Sequence, residues 1–336
     1  MTTDFVRLYN ALIDLVKKNY SYLASKEEIL PKVIEKFESE INNVKGEEKF
    51  RVLAIQALSL FDDIHIGIVN PDGFSEQVIR RDIKLNYERN PVKNGELVTK
   101  YIPNTKRRLP IYIGTIDDIF YLRIDSFDEN LRKNFDILKE FYPFKNEKII
   151  IDIRANSGGN EGLAMPIASH LSGYDEALIF SYIRFRTSEN DPTKLTEFRP
   201  RYLIPDIHSD GRKKVIALIG KVTCSSAESF ALELSSIPGT KLIGDTTSGD
   251  SGCPQRYMLD GEYAGKKVNY NTQPNELKAN WALDLPSWLM YKRDKSLLQG
   301  NGIIPDIMIE PTKSIVNGND KVLEAAIELH KGTYKI

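Results

Sequence analysis

The chain is 336 residues long and 41% apolar, with 46 basic against 47 acidic side chains. That length can bury a substantial core in two domains or one large one, and the evenly spread charge lacks the one-sided basic footprint of a nucleic-acid binder. Two cysteines without a C-x-x-C pair and four histidines without H-E-x-x-H spacing argue against a disulfide framework and a zinc site, so no metal or other cofactor is expected.

Residues 1–7 mix charged and polar side chains without an apolar signal core, and no apolar run approaches the length of a membrane span. The expectation is a cytoplasmic protein with neither a membrane nor a nucleic-acid partner. Residues 1–62 predict three helices, most simply a small helical bundle. Phe5, Leu8, Tyr9, Leu12, Ile13, Leu15 and Val16 make one stripe at helical spacing. Ser25 and Glu28 form an S-x-x-E start for a second, and Phe50, Leu53, Leu58 and Phe61 mark a third.

Residues 63–336 predict a second domain. Apolar runs at 111–114 and 119–124 flank a turn at Asp117-Asp118 and read as a β-hairpin. A helix over 131–141 and a strand over 148–154 follow, then the pair Gly158-Gly159 and a helix running through His170. Strands over 177–182 and 215–219, a helix from Ser225, a strand over 242–244 and an amphipathic helix over 320–330 complete the series, and the charged stretch 187–198 reads as an exposed loop. Strands alternating with helices predict an α/β (α+β) layered core.

The segment 220–231, Gly-Lys-Val-Thr-Cys-Ser-Ser-Ala-Glu-Ser-Phe-Ala, is the most informative. It puts Ser225 at a strand-to-helix turn, where a hydroxyl stands clear of the sheet and helix-start N–H groups point outward. Ser225 with Glu228 is equally a capping box, which many helices use for nothing but their start. A serine hydroxyl becomes a nucleophile only with a base and with donors for the oxyanion. His65, at the end of the third helix in Asp63-Ile64-His65, is the candidate base, or else a half-buried histidine paired with Asp63. His170 and His330 sit in helical patterns and His208 in a polar loop, which suits structural or solvated roles. Gly158 and Gly159 let backbone approach a ligand closely, or simply make a tight turn. With the Ser226 amide they are the candidate oxyanion donors.

Four blocks in order, 150–159 (IIDIRANSGG), 223–231 (TCSSAESFA), 242–249 (LIGDTTSG) and 300–307 (GNGIIPDI), resemble the C-terminal-processing (tail-specific) serine peptidases and their tricorn-like relatives. The resemblance implies a ClpP/crotonase-like layered core, peptide or unfolded-protein substrates, and Ser225 as nucleophile. The tail-specific branch uses a lysine base in a G-K-G segment, where this chain carries Asp250. Asp63-Ile64-His65 instead matches the D-x-H of the tricorn-like branch, as does the lack of an evident PDZ module. Where the family often has a glutamate before its closing motif, this chain has Gln299, which could orient an imidazole but adds no charge; Asp284, Asp294 and Glu276 are alternative orienters.

Two other readings stay open on the sequence. The interphotoreceptor retinoid-binding proteins resemble this family, and Gln299 favours such a ligand-binding or scaffold role without catalysis. A crotonase-like acyl-CoA enzyme would also use Gly-Gly donors, but has no need of the serine. Cys224 reads as a small apolar filler beside the nucleophile, and Trp281, Leu283, Trp288, Leu289, Met290 and Tyr291 as core rather than pocket.

Overall fold

The computed structural model of the chain describes residues 4–72, 75–77, 85–88, 91–134, 136, 146–173, 176–209, 211, 213–269 and 280–334. Its helices are α1 (Phe5–Asn19), α2 (Leu30–Glu40), α3 (Glu47–Leu58), α4 (Pro91–Tyr101), α5 (Glu129–Lys133), α6 (Glu161–Ser172), α7 (Ser226–Ser236) and α8 (Lys321–Lys331), besides shorter turns. Its strands begin with β1 (Gly67–Val69), β2 (Ser75–Gln77), β3 (Lys106–Arg108), β4 (Ile111–Ile116), β5 (Ile119–Ile124), β6 (Lys148–Asp152), β7 (Leu178–Arg184) and β8 (Arg199–Leu203). They continue with β9 (Lys214–Ile219), β10 (Lys241–Gly244), β11 (Pro254–Met258), β12 (Lys267–Val268), β13 (Ala282–Pro286), β14 (Leu289–Tyr291) and β15 (Ile307–Met308). The chain divides into two compact units, one of residues 1–82, 183–199 and 250–290, the other of 83–182, 200–249 and 291–336.

In the first unit α1–α3 accompany an antiparallel sheet in the order β12-β11-β13-β1-β2. Phe50 of α3 meets Trp281 edge to face, at 5.0 Å between ring centroids, and Trp281 is buried, as are Leu283, Leu289 and Met290. On paired positions of β11 and β13, Arg256 grips Asp284 with two bonds of 2.8 Å. The S-x-x-E at Ser25 does not start α2. Ser25 caps its own turn by donating to the Tyr22 carbonyl, and the helix begins at Leu30, where Pro31 needs no N–H partner.

In the second unit the sheet runs β15-β10-β9-β6-β5-β4-β3, parallel from β15 to β5 and closed by the β4–β5 hairpin around Asp117-Asp118. Strand alternation divides its faces. Tyr121, Ile150, Ile216, Leu218 and Ile243 pack with Val98 and Ile102 of α4 and with Val322, Leu323 and Ala326 of α8. Helix α7 packs against β9 and β10 and against α6. Helix α5, capped by Asp128, is the described beginning of the helix expected over 131–141; residues 137–141 lie outside the described part.

A buried ion network ties α8 to β6. Arg154 donates to both carboxylate oxygens of Asp152, at 3.0 and 2.7 Å, and of Asp320, at 2.9 and 2.8 Å. Burial opposes the Arg154 charge, but the two carboxylates outweigh it and hold the guanidinium well above its ordinary pKa. The same Asp320 carboxylate caps α8 through the Val322 and Leu323 N–H groups.

Candidate active site

Strand β9 delivers the chain to a tight turn held by Thr223, whose hydroxyl takes the Gly220 N–H at 3.0 Å and donates to the Ile153 carbonyl at 2.9 Å. Ser225 follows at φ 55°, ψ −123°, a conformation that L-residues rarely adopt, and α7 starts at the next residue. Such strain persists only where neighbours over-determine it. Here the neighbour is Glu228, fully buried one turn along α7. One of its oxygens takes the Ser225 N–H at 3.3 Å; the other takes the Thr247 hydroxyl at 2.5 Å and the Gly249 N–H at 2.9 Å. Thr247 in turn accepts the Ile303 N–H at 2.7 Å, so one carboxylate links the serine with two of the family-like blocks. The capping-box reading of Glu228 covers only the first of these bonds.

The loop after β6 lies against this turn. A Cβ on Gly158, at φ 104°, would sit 2.9 Å from both the Cys224 carbonyl and Ser225 Cβ, and 3.0 Å from the Ser226 nitrogen. Gly159, at φ 127°, touches the Phe127 backbone so closely that a side chain there would meet the carbonyl. Of the three amides expected as oxyanion donors, that of Gly158 is engaged: it donates to Asn156 Oδ1 at 2.8 Å. Asn156 is buried and also donates to the Ile124 carbonyl, which pins the loop to the end of β5. Among the described residues, the N–H groups of Gly159 and Ser226 meet no protein acceptor. Asn156 escaped the sequence reading because an asparagine before Gly-Gly reads as turn chemistry.

The candidate base lies in the first unit. Asp63 is buried and takes the His65 N–H at 2.9 Å on one oxygen and the Tyr20 hydroxyl at 2.9 Å on the other. Burial drives its pKa up to about 7, and the nearby Asp250 adds to the rise. Burial also lowers His65 to about 4, against an upward pull from Asp250. The imidazole is therefore neutral at neutral pH, the form that accepts a proton.

The structure thus gathers Ser225, Ser226, Gly158 and Gly159 in the second unit, and Asp63, His65 and Asp250 in the first. Gln299, in the second unit, is buried, and its carbonyl accepts from Asn301. Of the alternative orienters, Asp284 is committed to Arg256, Asp294 to the Ser296 amide and hydroxyl, and Glu276 lies outside the described residues. His170 bonds Asp206 at 3.0 Å, His330 bonds the Ile149 carbonyl at 3.1 Å, and His208 is exposed in a turn. Cys224 is buried. Among the described residues no cluster of three or more His, Cys, Asp or Glu could hold a metal ion, and no helix is long and apolar enough to cross a membrane.

Two turns along α7 from Ser225, Glu233 is fully buried, and among the described residues no donor reaches either carboxylate oxygen. Burial, helped by Glu161 and opposed by Arg201, pushes its pKa well above the ordinary 4.5. The native chain therefore holds a proton that the unfolded chain releases above the ordinary value, and stability falls as pH rises from there towards the folded value. Glu233→Gln removes that loss. Its melting temperature is expected to exceed that of the wild type by a margin that widens from about pH 5 to about pH 8; a margin independent of pH would refute the assignment.

The sequence profile described as Peptidase family S41 matches residues 118–309, more than half of the chain. Among solved structures, the chain is similar to a candidate peptidase from Parabacteroides merdae ATCC 43184, at TM-score 0.72 and 21% identity over 98% of this chain and 97% of that one. Mature CPAF matches at TM-score 0.65 and 12% identity, over 97% of this chain and 96% of that one. The tricorn protease matches at TM-score 0.56 and 16% identity, over 98% of this chain but 37% of the larger protein. At these identities the structural likeness is one of fold.

Proposed function

The chain belongs to peptidase family S41, the C-terminal-processing serine peptidases, and from that premise we propose that it cleaves peptide bonds through an acyl-enzyme on Ser225, with His65 as general base. The observation that carries the reading is the backbone of Ser225, held at φ 55° at the start of α7 with Gly158 packed against it and the Ser226 hydroxyl donating to the Gly159 carbonyl at 2.7 Å. A serine kept in a disfavoured conformation at a strand-to-helix turn is a device for presenting Oγ rather than for starting a helix.

In this mechanism Ser225 Oγ attacks the scissile carbonyl carbon as its proton passes to the neutral His65 ring. The carbonyl oxygen becomes an oxyanion and takes hydrogen bonds from the Gly159 and Ser226 N–H groups. Collapse of the tetrahedral intermediate breaks the C–N bond, and the imidazolium returns its proton to the leaving amine. A water then attacks the acyl-Ser225 ester, giving up a proton to His65, and the carboxylate product leaves as Ser225 recovers its hydrogen. The Gly158 amide has a different part, holding the loop through Asn156.

A fluorophosphonate, which reacts with activated serines, tests the assignment of the base. Wild type is expected to label rapidly and His65→Ala at least about 10³-fold more slowly. Equal rates would remove His65 from the reaction.

A further inference from the structure

Of the carboxylates that the sequence sets beside His65, Asp63, Asp284 and Asp294 are accounted for, and Glu276 lies outside the described residues. Asp284 is gripped by Arg256, and Asp294 serves its own turn. Asp63 spends its oxygens on the His65 N–H and the Tyr20 hydroxyl, and stands 3.8 Å from the His65 ring nitrogen Nδ1, beyond hydrogen-bond length. With its pKa near 7 it is also only partly an anion at neutral pH.

A further carboxylate, Asp250, is offered by the sequence only as a replacement for a lysine. Its carboxylate is fully buried and takes the Ile64 N–H at 3.5 Å, which lays it along the segment that carries His65. The backbone beside it is fixed: the Ser251 and Tyr22 hydroxyls are bonded at 2.7 Å, and the Tyr22 oxygen takes the Met290 N–H at 3.2 Å. A buried carboxylate stabilises a cation that forms near it. An imidazolium at His65 would be such a cation.

We propose that Asp250 is the positioning residue of His65, orienting the ring and stabilising the imidazolium that forms when Ser225 loses its proton. The inference rests on His65 being the base. The other groups facing this cluster are Asp63, Tyr20, Tyr22 and Lys26, whose ammonium bonds the Phe61 carbonyl at 2.7 Å. Tyr20 is pushed well above its ordinary pKa by burial and by Asp63, so it stays a neutral donor. Asp250 is the group whose charge raises His65 against the effect of burial.

The test is Asp250→Asn, read two ways. Turnover is expected to fall about 10²–10⁴-fold with little change in KM, as loss of an orienting carboxylate does in Ser–His enzymes. Independently of activity, ¹⁵N spectra of the His65 ring at neutral pH are expected to show altered tautomer populations. Where the asparagine variant does not fold, Asp250→Ser keeps an oxygen near the Ile64 N–H, drops the charge and must give the same two results. A His65 ring whose tautomers ignore both substitutions overturns the inference. Fluorophosphonate labelling that depends on His65 while the ring ignores Asp250 defeats this inference alone; labelling indifferent to His65→Ala defeats the underlying reading.

Discussion

Ser225→Ala is expected to lower peptide turnover by about 10⁴–10⁶-fold and to abolish fluorophosphonate labelling, with the fold intact. The substitution removes the oxygen that accepts the Glu228 N–H in the capping box and leaves the other bonds that hold the turn. The Ser225 N–H still reaches Glu228, Thr223 still bridges Gly220 and Ile153, and α7 still starts at residue 226. Alanine suffers the same backbone strain at φ 55° as serine, so the cost to stability is expected to be that of the lost cap bond, about 1 kcal/mol, and the protein still folds. What remains is the residual catalysis of oriented oxyanion donors and substrate binding, which accounts for the upper limit on the surviving rate. Turnover within tenfold of wild type in a folded Ser225→Ala protein would place the nucleophile elsewhere.

Gly158→Ala is expected to cost both turnover and stability, although it touches no reacting group. The added carbon would lie 2.9 Å from the Cys224 carbonyl and Ser225 Cβ, on a residue at φ 104°. Neither obstacle is the end of a flexible side chain. The 156–160 loop must retreat, which breaks the Gly158–Asn156 bond and carries the Gly159 amide out of place. Losing one oxyanion donor costs about 10²–10³ in turnover, and the strained backbone a further ~1–3 kcal/mol of stability. Steady-state kinetics beside urea unfolding separate the two losses, and a stable variant with wild-type kcat would sink the argument.

Much of this was legible in residues close together in sequence. The apolar runs on either side of Asp117-Asp118 give the hairpin, and the apolar run into Ser225 gives the strand–turn–helix on which the serine sits. The four blocks point to the family because each keeps its residues within a dozen positions. What local pattern could not supply is partnership across distance. Strand β1 pairs with β13, more than two hundred residues away, and no periodicity in either names the other. Glu228 reads as a cap because its nearest bond is to Ser225; its bonds to Thr247 and Gly249 appear only once the chain is folded. Asp250 shows the same limit more sharply. In sequence it is a missing lysine, and only its burial against Ile64 turns it into a charge with a task. Glu233 falls on the apolar side of its helix, where a charged letter gives no hint that the side chain keeps its proton.

The Arg154 network has a bearing on synthesis. Arg154 lies two residues before Asn156, whose side chain holds the Gly158 amide, and its second carboxylate arrives 166 positions later, at Asp320. A ribosome that has reached residue 310 has already made Ser225, His65 and both loop glycines. Its nascent chain nevertheless carries a guanidinium with half of its counter-charge, just after a strand whose face still lacks α8. Burying that cation is strongly unfavourable, so the segment after β6 reaches its charge balance only when α8 docks.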